Sequence, residues 1–298
     1  MAVPHRHNFG THDFRSVARA LTMVENDLSG ADELLKSLKF KKEVPVIGIT
    51  GPPGAGKSTL VNDLISAFTD KGHKVAVLAI DPTSPFNFGS LLGDRIRMST
   101  HFNDPDVFIR SLATRGSLGG LSAKTIEMTD VLRASGFDYI IVETVGVGQS
   151  EIEIAGLADR TLVVLVPEGG DEIQSIKSGL MEIADAFIVN KADREGADLF
   201  ANNLKKMVQQ KHADIPVFKT VASQNDGIKE VVDFIYAQSS VKNNRKEFLL
   251  AEKAYKLIQQ KRMANVDKGS LIQEIRSGLA DGQFNLYHFV DEQLIKLD

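Results

Sequence analysis

Apolar positions along this chain follow two rhythms that take turns. Near the start, Val17, Ala20, Leu21, Val24 and Leu28 recur at helical spacing, and Leu34, Leu35 and Leu38 repeat it after Gly30. Each segment therefore has one apolar face, as an amphipathic helix requires. From Val46 the rhythm changes to short unbroken apolar runs: Val46 to Ile49, Val75 to Ile80, Tyr139 to Val142, Leu162 to Val166, Ala186 to Val189 and Pro216 to Phe218. Apolar runs of that length suit strands covered on both faces, the condition of a parallel sheet. Between most of them lie helical stretches, Thr59 to Phe68, Ser122 to Ala134, Asp171 to Ile183 and Ala197 to Lys211. Strand and helix in alternation predict an α/β fold with a doubly wound, mostly parallel sheet and ligand sites at the carboxyl ends of its strands.

Two regions depart from the alternation. The connection from Asp81 to Gly120 is long and rich in Gly, Ser, Arg and Asp, with Val107 to Arg110 as a candidate extra strand inside it. Connections of this length are more often functional than decorative. Beyond Ser240 only charged helices remain, Glu247 to Met263 and then Leu271 to Leu279. With no strand of their own they need a partner surface, either the body of the domain or a second subunit. The expected organisation is a helical extension over residues 1–42, a nucleotide-binding domain over 43–240 and a C-terminal helical region over 241–298.

Composition narrows the function classes. A chain of 298 residues holds one large α/β domain with attachments. The net charge of −4 argues against a general binder of nucleic acid or of anionic membranes. The absence of cysteine excludes disulfides and thiolate metal sites. No apolar run approaches the ~18 to 20 residues of a membrane span, and Met1 to Phe14 lacks the apolar core of a signal peptide. A cytoplasmic protein is expected. His5, His7 and His12 have no accompanying carboxylate framework, so they read as a loosely ordered terminus rather than a metal site.

The chemistry is concentrated at the predicted strand ends. Gly51-Pro52-Pro53-Gly54-Ala55-Gly56-Lys57-Ser58 fits G-x-x-x-x-G-K-[ST] and sits between an apolar strand and a helix opening at Thr59. Its glycines let backbone N–H groups turn inward around an anion, Lys57 reaches the terminal phosphates, and the Ser58 hydroxyl suits Mg²⁺. The phosphates would rest on a helix N-terminus, where orphan N–H groups and the macrodipole favour negative charge. The fold expected is thus of P-loop NTPase type, with helical N- and C-terminal extensions.

Asn190-Lys191-Ala192-Asp193 has the form N-K-x-D and follows a strand run. The Asp193 carboxylate can accept from both the ring N–H and the exocyclic amine of guanine, which selects against adenine by on the order of 10⁴-fold. Val221-Ala222-Ser223, after the last strand, is placed to offer backbone N–H groups to the guanine carbonyl. Glu143 ends another strand and opens Glu143-Thr144-Val145-Gly146-Val147-Gly148-Gln149. A carboxylate there binds Mg²⁺ directly or through water, Gly146 can donate its N–H to the γ-phosphate, and Gln149 is a candidate to orient water. In the long connection, Asp81, Asp94, Arg95, Arg97, Arg110 and Arg115 are candidates for metal and phosphate contacts; surface salt bridges are the plain alternative for each arginine.

Taken together these motifs resemble the MeaB/ArgK family of GTPases. The similarity includes Asp81-Pro82-Thr83-Ser84-Pro85, Gly89 to Arg95, Arg115 to Leu121 and Arg19 to Asn26, and it runs from about Arg15 to Ile228. Val221 departs from it, standing where the family usually has serine. The resemblance implies a GTPase chaperone of an adenosylcobalamin-dependent acyl-CoA mutase, usually methylmalonyl-CoA mutase, that gates cofactor loading and protects or reactivates the mutase. It further implies a homodimer joined through C-terminal helices. By position, it assigns Ser58, Asp81, Asp94 and Glu143 to the Mg²⁺ region, and it makes Pro167 to Lys177 a third switch whose Lys177 enters the catalytic site. Catalysis would then rest on Lys57, Asp94, Glu143 and Lys177, and nucleotide binding on Gly51 to Thr59, Gly146, Asn190, Lys191, Asp193 and Val221 to Ser223. Two rival readings share the core: a kinase acting on a transport protein, a label the ArgK branch has carried, and a nickel-delivery GTPase. Asp193 speaks against ATP for the first, and the lack of cysteine speaks against the second.

Overall fold

The computed structural model describes residues 13–81, 98–113, 123–144, 154–168, 180–210, 214–238, 246–280, 282 and 284–296. They divide into two compact units, residues 1–246 and 247–298.

The first unit is built on a seven-stranded sheet. In chain order its strands are β1 (Val46–Thr50), β2 (Val75–Asp81), β3 (Val107–Ala113), β4 (Tyr139–Thr144), β5 (Arg160–Leu165), β6 (Ala186–Val189) and β7 (Val217–Lys219). Their spatial order is β3-β2-β4-β1-β5-β6-β7, and every pairing is parallel. β1 lies between β4 and β5, with Ile49 in register with Glu143 on one side and Leu162 on the other. The central strands β1 and β4 are buried along their whole length, which is why they read as unbroken apolar runs. The candidate strand at Val107 forms as β3, extends to Ala113 and occupies one edge.

Helices cover both faces. On one face α3 (Lys57–Thr69) and α6 (Ile228–Gln238) press Leu60, Leu64, Ile65, Phe68, Val231 and Ile235 onto Ile47, Ile49, Val77 and Ile141. Phe68 stacks on Tyr139 with ring centroids 4.4 Å apart. On the other face α1 (Phe14–Glu25) and α4 (Ala123–Ala134) meet Val46, Leu78, Phe108 and Ile140. Beside them α5 (Ala197–Gln210) covers Val163, Leu165, Phe187 and Val189. Of the stretch expected to be helical from Asp171, the described part is a helical turn at Met181–Ile183.

α1 buries the stripe the spacing predicts, Val17, Ala20, Leu21 and Val24. Its start is fixed by Asp13, whose carboxylate accepts from Arg15 N and Ser16 Oγ; the Ser16 bond leads in holding that carboxyl below its usual range. Leu28 does not belong to the stripe. Asn26 caps the helix, Asp27 takes a positive φ of 49°, and Leu28 stands half exposed beyond the break. α2 (Ala31–Ser37) then buries Ala31 and Leu34, with Leu38 just past its end.

The second unit consists of helices α7 (Lys246–Arg262), α8 (Lys268–Ala280) and α9 (Leu286–Ile295). Sequence reading found the first two and missed α9, although Asn285 marks its start by accepting from the backbone N–H groups of Tyr287 and His288. Neither α8 nor α9 contains a buried residue. No helix among the described residues is long and apolar enough to cross a membrane.

Two predictions follow from this packing. Leu21 is fully buried in α1, so Leu21→Ala should destabilise the sheet unit by about 2–5 kcal/mol, read as a lower urea midpoint with an unchanged slope. Asp63, on the flank of α3, has its carboxyl raised from 3.8 to about 6 because burial strips water from it, and its Oδ2 has no hydrogen-bond partner among the described residues. A raised folded-state value means the stabilising contribution is full below pH 3.8 and is lost as pH rises through about 6. Asp63→Asn should therefore gain about 1 kcal/mol at pH 8, after discounting for a group half in water. Near pH 4 the same substitution should be neutral in thermal melts.

Candidate functional site

The site forms where the carboxyl ends of β1, β4, β5 and β6 converge. After Thr50 the chain turns through Gly51, Gly54 and Gly56, with φ of 139°, 78° and 86°. Two of these glycines are also required by contact. A Cβ on Gly51 would stand 2.0 Å from the carbonyl oxygen of Val164, and one on Gly56 would stand 2.3 Å from Asn190 Nδ2. The loop thus lies against the backbone of β5 at one point and against a side chain of the β6 end at another. Pro53 and Gly54 form its exposed rim, Ala55 is buried, and Thr59 is half-buried in the first turn of α3.

α3 begins at Lys57 with Gly56 as its N-cap, and no side chain caps the helix. A glycine N-cap offers no Ser, Asp or Asn side chain in the place where a helix N-terminus can take an anion. The ammonium of Lys57 curls back over the loop, donating to the carbonyls of Gly51 at 2.7 Å and Pro52 at 2.8 Å. This holds a positive charge inside the turn, where a phosphate group would settle.

Directly behind the loop, Ser58 Oγ donates to Glu143 Oε1 at 2.7 Å, with both residues buried. β4 delivers Glu143 to this point because it pairs in register with Ile49 of β1 and Ala79 of β2. One residue further on, Thr144 Oγ1 donates to Thr50 Oγ1 at 3.0 Å, also buried. Sequence reading missed this hydroxyl pair, since nothing local marks it. Asp81 ends β2 beside β4. A hydroxyl and a carboxylate already in contact at a phosphate loop are hard oxygen donors of the kind Mg²⁺ takes, so the donor set fits that ion. Asp94, Gly146, Gln149, Lys177, Arg95, Arg97 and Arg115 lie outside the described residues, as does most of the segment from Pro167 to Lys177.

Arg110 takes the plain alternative, a salt bridge. It sits mid-strand in β3 and reaches α1, where it pairs with Glu25 at 2.6 Å and Thr22 at 3.3 Å. Its charge holds the N-terminal helix to the sheet edge rather than standing at a strand end.

The other end of the site is organised by Asn190, which is buried at the end of β6. Its Nδ2 donates to Ala55 O at 2.9 Å, while its Oδ1 accepts from Thr220 Oγ1 at 3.0 Å and from Ala222 N at 3.2 Å. Lys191 follows in the left-handed region with φ of 57°, and Asp193 stands exposed in the turn after it. Strained backbone of this kind in a non-glycine residue gathers at functional loops. Of the expected backbone donors, Val221 N–H goes to Asp226 O and Ala222 N–H to Asn190. The expectation of a donor to the guanine carbonyl therefore falls to Ser223. Glu168, at the start of the segment expected to be a third switch, lies just beyond β5 and pairs with Arg194, a contact that sequence reading did not foresee.

One crowded glycine and one open glycine give a graded test. Gly54 and Gly56 share a left-handed φ, but a Cβ on Gly54 would meet nothing within 4 Å. Gly56→Ala should weaken nucleotide binding by about 10- to 100-fold, the cost of a strained backbone plus a displaced Asn190. Gly54→Ala should cost clearly less when both are titrated with a fluorescent guanine nucleotide.

Comparison with known proteins gives the family. The family model described as "Methylmalonyl Co-A mutase-associated GTPase MeaB" matches residues 17–276. A protein of Pyrococcus abyssi that carries a GTPase name is 47% identical, over 91% of this chain and 86% of that one. The "Fused isobutyryl-CoA mutase" of Geobacillus kaustophilus is 36% identical over 71% of this chain, a segment that makes up 21% of that longer protein. Among solved structures, a "LAO/AO transport system kinase" superposes with a TM-score of 0.65 at 24% identity, covering 96% of this chain and 93% of that one; this similarity concerns the fold alone. With a phosphate loop, a serine–glutamate pair behind it and an N-K-x-D turn braced against it, the chain belongs to the MeaB family of methylmalonyl-CoA mutase-associated GTPases.

Proposed function

We propose that this protein hydrolyses GTP and uses the hydrolytic cycle to gate adenosylcobalamin loading, and to protect or reactivate an acyl-CoA mutase of the methylmalonyl-CoA type. The mutase part of the reading is carried by one observation: a protein named as a fused isobutyryl-CoA mutase contains a segment similar to most of this chain. Two activities joined in one polypeptide are held at high effective concentration, and separate chains that resemble the joined parts are natural partners.

The nucleotide chemistry follows from the site. In this reading Asp193 accepts the two guanine N–H groups, Lys191 lies along the ring, and Asn190 keeps the base turn and the phosphate loop at a fixed separation. Lys57 and the loop amides of Gly54 to Thr59 neutralise charge as water attacks the γ-phosphate in line, so that catalysis is positioning and electrostatics rather than covalent chemistry. Ser58 and Glu143, with Asp81 and Asp94 as the further ligands, would hold a magnesium ion, which would supply positive charge to offset that of the phosphates. Gly146 and Lys177 are assigned to the γ-phosphate side in the same scheme.

A homodimer is part of the proposal. In the unit 247–298, Tyr255, Ile258, Leu279, Tyr287 and Ile295 each expose more than 60% of their surface. So many uncovered apolar side chains in one small helical unit support an interface there, and the occupant in this reading is a second copy of the chain.

The decisive experiment mixes the protein with a stoichiometric cobalamin-dependent mutase. Turnover of GTP should rise by about tenfold or more, in the manner of GTPases completed by a partner, and cobalamin loading of the mutase should become GTP-dependent. An unchanged rate together with unchanged loading would sink the mutase reading. Glu143→Ala should lower kcat by about 10²-fold; full activity in that variant would remove Glu143 from the mechanism.

A further inference from the structure

The turn that carries Asp193 is anchored unequally on its two sides. Its inner side is fixed by buried bonds: Asn190 N–H to Leu165 O at 2.8 Å, Ala192 N–H to Thr220 O at 3.0 Å, and the three bonds of the Asn190 side chain. The turn itself is tight, with Arg194 N–H donating to Lys191 O at 3.0 Å. This bond holds Lys191, Asp193 and Arg194 within one closed turn. The outer side holds to the rest of the chain by an ion pair between Arg194 Nη1 and Glu168 Oε1, 2.5 Å apart and about half exposed. Glu168 is well placed for this, since Pro167 has a fixed φ and lies one residue past the buried Val166 at the β5 end.

We propose that Glu168 and Arg194 are positioning residues that clamp the base-reading turn against the end of β5 and so slow the release of bound guanine nucleotide. The proposal rests on the reading that Asp193 holds guanine, and it adds a regulation of that same site. The local charges agree with it. The hydrogen bond from Arg194 leads in holding the Glu168 carboxyl below its usual range, with the charges of Arg194 and then Lys191 acting the same way. Glu168 thus faces both cations of the turn. An exposed ion pair is worth little to global stability, yet a small restraint on a loop that must open for the base to leave appears directly in the dissociation rate. A pair of this strength holds the turn while leaving it able to open.

The experiment follows dissociation of mant-GDP from the full-length protein by stopped flow, chased with excess GDP. Glu168→Gln and Arg194→Gln should each release the nucleotide about two- to fivefold faster, as expected for the loss of an exposed pair. The double variant should be no faster than the quicker single variant, because each removes the same contact. Arg194→Lys should keep part of the restraint, and the gap between wild type and variants should close in ~1 M salt. Wild-type release rates in both single variants, or effects that multiply in the double variant, would overturn the clamp while leaving the guanine reading in place. That reading has its own control. If the wild-type protein fails to bind mant-GDP, or if Asp193→Ala binds it equally well, guanine recognition by this turn is lost and the clamp with it.

Discussion

The site depends on one buried side-chain amide. Asn190 has one donor group directed at the phosphate loop and one acceptor oxygen shared between Thr220 and Ala222, so a single residue ties its strand end to Ala55, 135 positions before it, and to Thr220 and Ala222, 30 and 32 positions after it. In a low-dielectric interior an unmade bond of this kind costs about 1–3 kcal/mol, which makes the arrangement close to all-or-none. Gly56 belongs to the same constraint, because any side chain there would occupy the space of the Asn190 amide. The spacing between the phosphate loop and the Asn190-Lys191-Ala192-Asp193 turn is thereby set by packing.

The sheet supplies the frame for that joint. Parallel strands place all their carboxyl ends on one side, and β1 in the middle receives Glu143 from β4 and the backbone of β5 at the same edge. A buried carboxylate is expensive to hold without partners. The Ser58 hydroxyl provides one, and the position within a helix N-terminal field provides a favourable setting for negative charge. The second hydroxyl pair, Thr50 with Thr144, ties the roots of the two loops together one residue away.

Much of this was legible in the sequence wherever the signal is local. The apolar stripe of α1, the buried runs of β1, β2 and β4, and the phosphate loop all declare themselves within about ten residues, because periodicity and motif chemistry act at that range. Even so, α6 was passed over although Ile228, Val231, Val232 and Ile235 carry helical spacing. Leu28 was counted into α1 because spacing alone does not see a cap and a left-handed residue. The long-range pairs were not legible: Thr50 with Thr144, Glu168 with Arg194, and Arg110 with Glu25 join positions brought together only by the strand order β3-β2-β4-β1-β5-β6-β7. The same holds for Val221 and Ala222, whose position was readable but whose N–H groups are already committed within the fold.

The edge strand β7 has a consequence for how copies of this chain can meet. It is three residues long, is preceded by Pro216 and ends in Lys219, which pairs with Asp198. A strand so short, with a proline before it and a charge at its tip, offers little free ladder for another chain to extend. Edge-to-edge growth of the sheet into a longer ribbon is disfavoured at that end, whatever surface the rest of the chain presents.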